Sequence, residues 1–192
     1  MWHWLRRGFA VPFALILVLS SGVGWVVQGQ EQLDLEPLED ERFAIRSLVP
    51  AGWTTLEPGV YARLADEMDR TIIVLRSIPQ DPQAVWETLL PQLDLAEPPE
   101  PVGARSTTAL DWTLYRFDSG PAIGELSFDV ALAQAEDQTY IVLVQTAFDE
   151  RDATYETLFL PAVDAFAPVA PAELEAAGMV AFRGGSDEVR LA

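Results

Sequence analysis

Covalent and proton-transfer chemistry near neutral pH draws mainly on histidine, cysteine, lysine, activated hydroxyls and perturbed carboxylates. Of these, the chain of 192 residues holds a single histidine, His3, and no cysteine. It also contains no lysine and no asparagine, and all 12 basic residues are arginine. His3 precedes an N-terminal apolar segment. Beyond that segment the composition excludes serine–histidine and cysteine–histidine triads, Schiff-base lysines, phosphate-loop lysines and His-rich zinc sites. Disulfides and N-glycosylation are excluded with them. Carboxylates are what remains.

Asp66, Glu67 and Asp69 fall in one predicted turn and could hold a calcium ion weakly. A run of acids in a hairpin turn is more often simply solvated, and Glu136-Asp137 reads the same way. A carboxylate hydrolase needs two acids facing each other across an apolar cleft, and no spacing in the chain places such a pair. We therefore assign no catalytic residue, metal ligand or cofactor. The binding candidates are aromatic and arginine side chains: Trp53, Tyr61, Arg63, Trp112 and Arg116, with Tyr115 beside them. On extended strands Tyr61 and Arg63 share a face, as do Trp112, Leu114 and Arg116. Such side chains are enriched at binding hot spots, although each is more commonly packing or a snorkelling stem.

The elements that must position these residues read as strands with two helices. Phe43 to Val49 is a strand with Phe43, Ile45 and Val49 on one side. Pro50 should stop it, and Gly52 should take positive φ to turn Trp53 back onto the sheet as a core plug. Val60–Ala65 and Thr71–Ile78 form a strand pair. Asp81 caps a helix with Pro82 at its first position and Val85, Trp86, Leu89, Leu90 and Leu93 inward, which Pro91 is expected to end early. Ser106–Leu110 and Trp112–Phe117 are short strands around Asp111. In Ile123–Ala133 one face reads Leu126, Phe128, Val130, Leu132 and the other Glu125, Ser127, Asp129, Ala131, which predicts a sheet with one wet face. Tyr140–Ala147 is apolar on both faces and should lie centrally. Asp149 is expected to cap a last helix bearing Tyr155, Leu158, Phe159, Ala162 and Phe166, with Pro161 kinking or splitting it.

Residues 1–29 read as a signal peptide or N-terminal membrane anchor. Arg6 and Arg7 precede twenty uncharged residues, 8–27, and acids follow, which places the N-terminus in the cytoplasm and the rest outside. Val27-Gln28-Gly29 is a passable cleavage site. All 30 acids but only ten arginines lie after Gly29, a formal charge of −20 that repels nucleic acid and anionic lipid. Residues 30–42 read as an acidic spacer, 43–167 as the folded domain, and 168–192 as a tail or short appended elements.

The opening Phe43-x-Ile45-x-x-x-x-Pro50-x-Gly52-Trp53, followed by a strand pair, a helix, strands, a long hairpin and a last helix, resembles the PsbP-like fold. It is also similar to the exported domain that precedes serine-hydrolase domains in some bacterial proteins. The resemblance spans about Phe43 to Phe166. It implies an α+β domain, a single antiparallel sheet with helices packed against it as an α/β/α sandwich. It implies a binding or assembly role rather than a chemistry; the aromatic and arginine candidates above lead us to expect a protein partner or an extended apolar ligand. Two other readings stand beside it: an accessory domain of a separately encoded serine hydrolase, and a hydrolase working through carboxylates alone.

Overall fold

The computed structural model describes residues 33–66, 68–119 and 125–170. The expected leader, most of the expected tail, Glu67 and Ile123 lie outside the described residues. The expected α+β class is found. The single sheet is not: there are two. A three-stranded antiparallel sheet is ordered β1 (Leu35–Asp40), β2 (Ile45–Pro50), β10 (Ala167–Pro168). A seven-stranded antiparallel sheet is ordered β3 (Thr54–Glu57), β4 (Val60–Ala62), β5 (Ile72–Ile78), β9 (Gln138–Ala147), β8 (Leu126–Ala135), β7 (Asp111–Asp118), β6 (Pro101–Ser106).

The split falls where the chain turns at Pro50-Ala51-Gly52-Trp53. Proline cannot extend the ladder, and Gly52 takes φ of 77° as expected. The chain then leaves one sheet and starts the edge of the other. Leu35–Asp40, read from sequence as the end of a spacer, is a full partner of β2 in register Leu35↔Pro50 to Asp40↔Ile45. Leu33, Leu35 and Leu38 pack against the core. The acids between them face away, which is why composition alone hid the strand.

The seven-stranded sheet has two apolar faces. One is covered by helix α1 (Pro82–Leu93), whose Val85, Trp86 and Leu93 meet Phe128, Val130, Leu132, Ile141 and Leu143. The other carries Ile73, Leu75, Trp112, Leu114, Val142 and Val144, and meets β2 together with the C-terminal helical segment through Leu158, Phe159, Ala162, Val163 and Phe166. As expected, β9 runs through the middle, hydrogen-bonded to β5 and β8. Gly59, at φ of 72°, has no room for a side chain: a Cβ there would lie 2.5 Å from the Leu75 carbonyl oxygen.

Asp81 caps α1 as expected, its Oδ1 accepting from the Ala84 N–H at 2.9 Å. Pro91 does not end α1, which runs on to Leu93 and closes on Asp94 in the left-handed region. Pro91 is exposed. The expected strand Ser106–Leu110 is a turn instead, with Thr107 Oγ1 accepting from the N–H groups of Ala109 and Leu110, and the strand lies earlier as β6. Asp149 is no N-cap. It sits in a 3₁₀ turn, Phe148–Glu150, without a side-chain cap bond. Helix α2 (Arg151–Thr154) then widens into a π turn, Tyr155–Phe159, before α3 (Leu160–Ala165). The interruption expected at Pro161 takes this form. Proline lacks an N–H and its ring crowds the preceding turn, and a π turn, bonded Leu160 N–H to Tyr155 O, relieves both one residue upstream.

The wet face expected on β8 is also corrected. Ser127, Asp129 and Ala131 are as buried as Phe128 and Val130, because α2 and the π turn lie over them.

Candidate functional site

The polar layer under α2 gathers charge from five elements. Arg116 on β7 faces Asp129 on β8, with Nε at 2.6 Å from Oδ1, and its Nη1 reaches Asp152 of α2 at 3.0 Å. The guanidinium also lies over the Tyr155 ring at 4.1 Å, a cation–π contact. Arg63, just past β4, forks onto both oxygens of Asp69 at 2.6 and 3.1 Å and reaches Glu150 at 2.8 Å. Arg151 pairs with Asp118 at 3.3 Å and lies over Phe148. Three consecutive residues, Glu150, Arg151 and Asp152, are thus each tied down, Glu150 to the loop after β4 and the other two to β7. One helix further on, Arg105 of β6 forks onto Asp164 of α3, both bonds 2.5 Å.

Asp129 is 1% exposed. Burial pushes its carboxyl up and the nearby Asp152 adds to this, while the hydrogen bond and charge of Arg116 and the more distant Arg151 offset only part. Asp69 goes the other way. Burial alone would raise it, but the Arg63 fork and the backbone N–H groups of Ala65 and Thr71 hold it well below the usual carboxylate range. In the acidic turn read as a weak calcium candidate, both Asp69 oxygens are engaged as above, and Asp66 Oδ1 accepts from the N–H groups of Met68 and Asp69. Among the described residues no group of three or more histidines, cysteines or acids could hold a metal ion.

The five binding candidates separate. Trp112 is 1% exposed and meets Phe166 edge-on at 5.2 Å, and Tyr61 is buried against Ile73, so both are core. Trp53 is half-buried rather than the full core plug expected, and packs at the margin of the same cluster. Tyr61 and Arg63 do not share a strand, because β4 ends at Ala62. Trp112, Leu114 and Arg116 do share a face, but α2, the π turn and α3 cover it. Tyr115, on the opposite face, meets Trp86 edge-on at 5.0 Å. Of the set, the structure brings only Arg63 and Arg116 to one place, the start of the C-terminal helical segment. Sequence reasoning missed their partners Asp69, Asp129, Glu150 and Asp152. The available signal was an aspartate in mid-strand between Phe128 and Val130, together with the run Glu150-Arg151-Asp152.

Asp69→Asn tests the Arg63 fork. Its folded value is depressed, so the stability it contributes is present above the ordinary aspartate range and lost as pH falls toward the folded value. At neutral pH the variant should lose about 1–2 kcal/mol, discounted because Arg63 is 34% exposed. In urea melts the deficit should close as pH falls below about 4. A deficit that does not change with pH would assign Asp69 a packing role instead.

No family model matches the chain, and no curated protein matches it. Among solved structures it is similar to cyanobacterial PsbP (CyanoP) from Synechocystis, determined in solution. The identity is 16% and the TM-score 0.47, with 79% of this chain and 98% of that chain covered.

Proposed function

We propose that the chain is a non-catalytic extracytoplasmic interaction module, exported by the segment 8–27 and acting by binding a protein partner or an extended apolar ligand. One observation carries the first half of this reading: the buried carboxylates are engaged by arginines of their own chain. Buried Asp129 and exposed Asp152 flank one guanidinium, and the buried carboxylate of Asp69 is forked by another, so the buried acids hold cations that bridge the sheet to the start of the C-terminal helical segment. General acid–base catalysis needs a proton donor or acceptor within reach of a substrate atom. The described surface offers apolar contact instead. Leu64 and Met68 on the β4–β5 loop and Phe148 after β9 are 51%, 85% and 44% exposed, on segments tied together by the Arg63–Glu150 bridge. Exposed apolar groups gathered at one end of a sheet suit a contact surface.

Two measurements test the proposal. A panel of esterase, peptidase and glycosidase substrates should stay at background. Protease added to intact cells or spheroplasts should reach the domain, and N-terminal sequencing should show cleavage near Gly29 or retention of Met1. Turnover that disappears when one carboxylate is replaced, with the circular dichroism unchanged, would put the carboxylate hydrolase first. A protease-protected domain would end the export reading while leaving the binding one intact.

A further inference from the structure

Beside the ion pairs lies a row of buried hydroxyls that binding and charge do not explain. Thr71, Thr146 and Thr154 are 2%, 1% and 9% exposed, and Ser127 is 0%. Thr146 Oγ1 stands between the other two threonine hydroxyls, 3.4 Å from Thr71 Oγ1 and 3.5 Å from Thr154 Oγ1, and either atom of each pair can be the donor. Both distances sit well beyond the common O–H···O length of about 2.7–2.8 Å. Ser127 Oγ, buried, has no hydrogen-bond partner at all among the described residues. Ser127 and Thr146 are direct cross-strand partners, so their side chains stand on the same face with Cβ atoms about 4.5–5.5 Å apart. That spacing puts two hydroxyls within reach of one intervening water.

We propose that this layer is a solvent-binding site: one internal water accepts from Ser127 Oγ and donates to Thr146 and Thr154, closing the hydroxyl chain that begins at Thr71. Buried polar groups in folded proteins are almost always satisfied, and buried waters make about three such bonds. The water would seat the first turn of α2 on strands β8 and β9, next to the Arg116–Asp129 pair.

The sign of a single substitution separates this from an orphaned hydroxyl. If Ser127 is bridged, Ser127→Ala removes a satisfied group and should lower Tm of the full chain by roughly 3 °C. If Ser127 is unpartnered, deleting it should leave Tm unchanged or raise it. Oxygen-17 relaxation dispersion on the full chain counts long-lived internal waters directly. The count should fall by one in Ser127→Ala and by one in Thr154→Val. A lowered Tm with an unchanged water count overturns the proposal in favour of packing, and an unchanged or raised Tm overturns it outright.

Discussion

Trp112→Ala is expected to lower the stability of the fold by about 3–5 kcal/mol, the range for emptying a large aromatic from a core. The indole is 1% exposed and meets Phe166 edge-on at 5.2 Å, and Phe166 in turn meets Tyr140 at 5.8 Å. This stack fills the space between the seven-stranded sheet and the end of the C-terminal helical segment, so its loss leaves a cavity that two rigid layers cannot close. Trp112 Nε1 is buried without a hydrogen-bond partner. Trp112→Phe should therefore cost far less than the alanine variant, because it keeps much of the contact and removes an unmet donor. Trp53→Ala supplies the contrast. With Trp53 only half-buried at the cluster margin, its loss should be about 1–2 kcal/mol. Urea midpoints at constant slope check all three. If Trp53→Ala costs as much as Trp112→Ala, the Pro-Ala-Gly-Trp turn, not the Trp112–Phe166 stack, is the centre of the core.

Local rules were readable where neighbours in sequence decide the outcome. The Asp81-Pro82 helix start, the positive φ of Gly52, the β8–β9 hairpin and the disturbance at Pro161 each follow from a few adjacent residues. Errors came where a distant segment decides. β1 is written in alternating leucine and acid, a pattern that also suits a solvated spacer, and only its pairing with β2 makes it a strand. β8 carries Ser127 and Asp129 where alternation predicts water, but α2 lies on that face and Arg116 supplies the missing counter-charge. Pro91 has its side chain on the exposed side of α1, where the disturbance could be absorbed without ending the helix. The candidate site was the least legible part. Residue type marked Arg63 and Arg116, but the acids of their own chain that they bind lie at sequence separations of up to 87 residues, which no local pattern reports.

Arg116→Met should produce the most pH-dependent defect in the molecule. Arg116 is the direct partner of Asp129, and removing one member of a buried pair costs about 3–5 kcal/mol because the other charge stays behind unpaired. Asp152 would add repulsion, and Arg151 alone would remain as a distant positive charge. In the native protein the Asp129 carboxyl is already raised. Its favourable contribution is therefore complete below the ordinary aspartate value and is lost as pH rises through the raised one. Without Arg116 the folded value climbs further, so the penalty is largest at neutral pH and above. As pH falls, Asp129 is protonated in both proteins. The gap between them should then narrow to what remains of the Asp152 pair and the Tyr155 contact. The double variant Arg116→Met/Asp129→Leu removes both charges and should recover most of the loss at neutral pH. Urea melts of the three proteins across the acid-to-neutral range decide the matter. A deficit of constant size at every pH, or a double variant no better than the single one, would mean that Arg116 acts through packing and its Asp152 contact rather than as the counter-charge that lets an aspartate lie buried beneath α2.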